Sequence, residues 1–151
     1  MRKAATDLRE DRMTKVRRVY LQFLFFNASF ANVVAALVYL FAFQRASQWL
    51  GVVAVPDTPL LSMHAKLVAI PLLMFGVAYL LAACRPISDV SFCLIALGAA
   101  GKFATFGITL GYAIATDVPW GYVMLTFFDL LYGILFVEYL IWFRCSQPSE
   151  P

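Results

Sequence analysis

Three charged residues lie well inside stretches of sequence that are otherwise apolar: Lys102, Asp129 and Glu138. A lysine beside a carboxylate can form an ion pair, relay a proton or hold a charged ligand. An acid withheld from water can also serve as a general acid or base. Lys102 lies about twelve residues into its apolar stretch, or roughly 18 Å along a helix. In a bilayer that depth is close to the midplane, where a lysine costs roughly 2.5–3.5 kcal/mol. A carboxylate or a polar cavity is therefore expected near it.

The two acids cannot both serve. They are nine positions apart, about 180° around a helix of 3.6 residues per turn. Pairing the third and fourth apolar stretches about their short connection sets Lys102 level with about residue 135. That depth favours Glu138, whose side chain leans toward the lysine. Glu138 also lies close enough to the end of its stretch to reach the membrane surface. In that case Asp129 becomes the deeper acid, facing the interior with Tyr132, Gly133 and Phe136. Two readings of these charges stand: a buried pair that fixes helix register, or a proton relay or ligand site.

The other polar candidates have simpler expectations. Asn27 and Asn32, with Gln22, fall in the first apolar stretch and read as hydrogen-bonding glue between helices. His64 and Lys66 open the second stretch near a membrane interface, where they can meet headgroups or water. Gly107 and Gly111 form a GxxxG pattern extended upstream by Gly98 and Gly101, which predicts that the third stretch is the central packing element. No metal site is expected: Cys84, Cys93 and Cys145 lack ligand spacing and read as free thiols. Gly101-Lys102 is not a phosphate loop, and neither GxSxG nor HExxH occurs.

The elements that carry these residues are transmembrane helices. The chain of 151 residues is 62% hydrophobic and 14% charged, against roughly 25% charged in soluble proteins. So small a domain cannot hide that much apolar surface in one core. Four apolar stretches, residues 19–43, 60–84, 90–115 and 120–143, each approach the ~20 residues that span a bilayer. Within lipid such stretches must be helices, because a helix satisfies its own backbone. The fold class expected is all-α, a four-helix transmembrane bundle. Residues 1–18 form a basic segment before it, and residues 144–151 a short polar tail.

Turn chemistry fits this division. Arg85-Pro86-Ile87-Ser88-Asp89 stops one helix at Pro86 and offers Ser88 or Asp89 as a cap for the next. Asp117 to Gly121 makes a second tight turn with interfacial Trp120 and Tyr122, so consecutive helices run antiparallel. The longer connection, 44–59, contains Trp49 and is expected to lie partly in the interface. It ends in Asp57-Thr58-Pro59, a cap with proline at the first helical position.

Charge sets the orientation. Arg2, Lys3, Arg9, Arg12, Lys15, Arg17 and Arg18 supply seven of the twelve Lys and Arg residues. With Arg85 and Arg144 they would lie on one side of the membrane, against Arg45 alone on the other. The positive-inside rule then puts both ends in the cytoplasm, in the cytoplasmic (inner) membrane. The basic block reads as a lipid-facing anchor and not as a nucleic-acid contact. It is too long, and its apolar stretch too extended, for a cleaved signal peptide.

Phe75-Gly76-Val77-Ala78-Tyr79-Leu80-Leu81, Arg85-Pro86, Gly101-Lys102 and Asp129-Leu130-Leu131 give the chain a resemblance to the DoxX-like group of small bacterial membrane proteins, over roughly residues 20–142. The resemblance implies a four-helix membrane bundle, with some members serving as accessory subunits of membrane redox systems. It implies no catalytic set. The leading functional expectation is an accessory or ligand-binding component of a membrane redox or lipid-processing system. An oligomeric proton-coupled transporter and a membrane enzyme acting on a lipid or isoprenoid are the alternatives, and enzymatic activity stays an open point. No cofactor is evident in a motif; quinone or lipid would suit the setting. The expected partners are the bilayer and either a homo-oligomer or a larger membrane complex.

Overall fold

The computed structural model describes the backbone of residues 2–52, 58–116 and 119–146, with side-chain surroundings from Lys15 onward. It is an all-α bundle: α1 (Arg2–Phe41), α2 (Phe43–Trp49), α3 (Pro59–Cys84), α4 (Asp89–Ala115) and α5 (Trp120–Ser146). Four of these helices are long and apolar enough to cross a bilayer, α1 by its portion Lys15–Phe41. The chain is an integral membrane protein. Its outer surface agrees, since Phe23, Phe30, Phe128 and Ile134 project outward, each more than half exposed. In water that surface would drive aggregation; in lipid it is solvated.

The helix starts follow the expected chemistry. Thr58 is the N-cap of α3, its hydroxyl oxygen accepting from the Leu61 amide at 3.3 Å, with Pro59 in the first turn. Ser88 caps α4 by accepting from the Ser91 amide at 3.1 Å. The Ser88 and Ser91 hydroxyls both donate to the Arg85 carbonyl, at 3.1 and 2.6 Å, which ties the α3–α4 turn together. The basic segment is helical from Arg2 and continues α1 without a break. Asp57, Asp117, Val118, the tail from residue 147 and the side chains of Arg2 to Arg12 lie outside the described residues.

Packing is uneven along the bundle. α1 lies along α3 and α4 along α5, while α3 and α4 touch over a shorter stretch. The buried core gathers at the end that carries the basic segment. Leu21, Leu24 and Phe25 of α1 meet Tyr79 and Ala82 of α3, Ile95 and Ala99 of α4, and Phe136, Tyr139 and Phe143 of α5. Its aromatic heart has Phe25 5.1 Å from Tyr139 and Tyr79 5.1 Å from Phe136, ring centre to ring centre. The Tyr139 hydroxyl donates to the Pro86 carbonyl at 2.9 Å and joins α5 to the α3–α4 turn.

At the opposite, far end, α2 acts as a clasp. Gly51, at φ +99°, takes a backbone turn that other residues rarely adopt. Leu50 then lies against Gly121, where any Cβ would strike the Leu50 carbonyl. The Tyr122 hydroxyl donates to Ser47 at 2.8 Å, so the α1–α2 elbow is pinned to the start of α5. Trp49 projects outward, 91% exposed, as the interfacial reading of this connection expects.

The structure corrects the expectation that the third span, α4, is the central packing element. Its GxxxG pair is open: among the described residues, a Cβ on Gly107 or Gly111 would meet nothing within 4 Å. Close approach is made at Gly98, upstream in the same helix as that reading expected, and on α3 and α5. Gly76 of α3 sits so near α1 that a Cβ would fall 2.8 Å from a Val33 methyl, Gly98 receives the Tyr79 ring, and Gly133 of α5 receives Phe103. Gly101 is looser, 3.6 Å from Phe75.

Candidate functional site

The site forms where α4 and α5 meet, just beyond the aromatic core. Gly133 is buried and lets the Phe103 ring settle on α5. Asp129 lies four residues earlier, one helical turn away on the same face. This turns Asp129 toward α4, and the Lys102 ammonium donates to its Oδ1. The same ammonium stands 5.8 Å from the centre of the Tyr132 ring, a cation–π contact that helps a desolvated cation. Tyr39 of α1 and Tyr79 of α3 lie within electrostatic reach of Asp129. The pair is largely enclosed, with 13% of the lysine and 22% of the aspartate side chain exposed.

Glu138, favoured for Lys102 by depth, pairs instead with Arg17. The guanidinium donates to its Oε1 at 3.0 Å, the Tyr20 hydroxyl makes a longer contact of 3.5 Å, and Arg17 stacks 4.6 Å from the Trp142 ring centre. The correction has a simple cause. Residues nine apart occupy opposite sides of α5, so the side facing α4 takes Asp129 and leaves Glu138 to α1. A flexible lysine stem can make up an axial offset of some ångströms. No rotamer carries a carboxylate around a helix.

Asn27 and Asn32 do not bridge helices through their amide donors, contrary to the sequence expectation. Asn27 Nδ2 donates to the Phe23 carbonyl at 2.8 Å and Asn32 Nδ2 to the Ala28 carbonyl at 2.7 Å, both one turn back in α1. The bond between helices comes from Ser29, whose hydroxyl donates to the Gly76 carbonyl at 2.7 Å. Its signal was a small polar residue opposite a glycine, which permits backbone approach. The Arg17–Glu138 pair and the Ser47–Tyr122 bond were likewise missed, because each joins positions far apart in the chain.

His64 and Lys66 are exposed near the far end, and His64 Nδ1 lies 2.8 Å from the Leu60 carbonyl. Cys84, Cys93 and Cys145 are free and exposed. Among the described residues, no group of three or more His, Cys, Asp and Glu could hold a metal ion. Chemically, the Lys102–Asp129 site is a neutralised donor–acceptor pair inside the spans. Glu138 and His64 are engaged elsewhere. Comparison with protein-family models, curated proteins and solved structures found no match for the chain.

Proposed function

We propose that this membrane protein is an accessory or ligand-binding component of a membrane redox or lipid-processing system. The observation that carries the reading is the Lys102–Asp129 pair, a lysine and an acid that satisfy one another with no second carboxylate or histidine joined to them among the described residues. A catalytic acid or base needs a partner group aimed at a reacting atom, and a mutually engaged pair is better suited to fixing two helices in register. The resemblance to the DoxX-like group supports the accessory role, with quinone or lipid as its small ligand. The excess of basic residues at one end supports a cytoplasmic-membrane location with both termini inside.

Mild detergent extraction followed by copurification tests this. The expected result is a larger complex, or a homo-oligomer with bound quinone or lipid. A solitary monomer free of both overturns the reading. One observation favours a second reading, a proton-coupled carrier: the Asp129 side chain retains 22% exposure and is not sealed from a partner or ligand. A proteoliposome flux lost in a folded Lys102→Met variant would establish that alternative.

A further inference from the structure

The far end of the bundle holds a cleft of about 420 Å³ where the end of α1, the elbow into α2 and the start of α3 diverge. Two cations from different helices line it, Arg45 of α2 and Lys66 of α3. Both are exposed, and neither forms an ion pair among the described residues. Thr58 and Ser62 add hydroxyls to the wall. The N-terminal end of α3, a helix of 26 residues, contributes the positive end of its dipole. Like charges sharing one recess repel, and an anion between them relieves the repulsion.

A second recess continues from the first along α3. The two share Ser62 and Lys66, and the second is otherwise apolar, with Met63, Leu67 and Ile70 among its lining. Lys66 stands at the junction, about 10 Å along α3 from Pro59 by helical rise. From there its alkyl stem can cover apolar surface while the ammonium reaches the polar cleft. Polar above and apolar below is the profile of one amphiphile.

We propose that this end of the bundle binds a membrane amphiphile with an anionic, phosphate-type headgroup. The headgroup sits between Arg45 and Lys66, and the chain lies along Met63, Leu67 and Ile70. The site involves neither Lys102 nor Asp129, and its test, titration with added lipid of variants at Arg45 and Lys66, is distinct from the copurification that tests the accessory role.

The test titrates full-length, detergent-solubilised protein with dioctanoyl phosphatidylglycerol, dioctanoyl phosphatidylcholine and inorganic phosphate, following bound lipid by native mass spectrometry and thermal unfolding. Wild type is expected to prefer the phosphatidylglycerol to both others. Arg45→Gln with Lys66→Gln should weaken that binding about tenfold or more, and Arg45→Lys with Lys66→Arg should restore most of it. Both side chains are exposed, so circular dichroism of the variants should match wild type. Undiminished phosphatidylglycerol binding in the double Gln variant overturns the proposal. Equal affinity for phosphatidylcholine removes the anionic headgroup, and equal affinity for inorganic phosphate removes the amphiphile; either result overturns it as well.

Discussion

Inside a span, Lys102 and Asp129 cancel each other's charge, and their value to the fold depends on whether one can be lost without the other. Removing a single partner strands a charge that the surroundings do not solvate. Lys102→Met or Asp129→Asn should each lower stability by roughly 3 kcal/mol, the usual scale for breaking an enclosed pair. Replacing both together should cost clearly less than the sum, because no charge is then orphaned. Thermal unfolding of the four proteins in one detergent measures this coupling; additive losses would mean the pair is not a unit. The lysine, its need for a counter-charge and the mutual exclusion of the two acids were all legible in the sequence. The choice between the acids was not. It depends on which side of α5 faces α4, and that was decided by Gly133 receiving Phe103, a packing event without a charge pattern to announce it.

Between elements, small residues mark where helices can approach, without saying where they do. Gly76 is used: Ser29 donates to its carbonyl and Val33 occupies the space beside its Cα. Gly107 and Gly111 are not used among the described residues, although theirs is the more familiar pattern. Gly76→Ala should therefore push α1 and α3 apart and cost about 1–3 kcal/mol, as overpacking does. Gly107→Leu should leave the unfolding midpoint of the isolated protomer unchanged. A loss at Gly107 comparable to that at Gly76 would show that α4 packs differently. The lengths of the spans, the short turns and the Thr58 and Ser88 caps could be read locally, since hydropathy and capping act over a few residues. The pairing of α1 with α3, and the clasp of α2 on α5, join distant segments and could not.

For the molecule as a whole, the α1–α3 and α4–α5 pairs are fastened at both ends. Arg17–Glu138 and Tyr139–Pro86 hold the basic end, and Ser47–Tyr122 holds the far end. A reporter active only in the cytoplasm, fused after Gln147, should be active if both termini lie inside, as the distribution of Lys and Arg implies. An inserted but inactive fusion would reverse the orientation. The order of synthesis gives the ion pair one more meaning. Lys102 leaves the ribosome 27 residues ahead of Asp129. A nascent chain thus presents its third span, lysine included, to the insertion machinery before the counter-charge has been made. The third span therefore enters lipid with its lysine unpaired, and the last helix supplies the counter-charge that the one before it lacks.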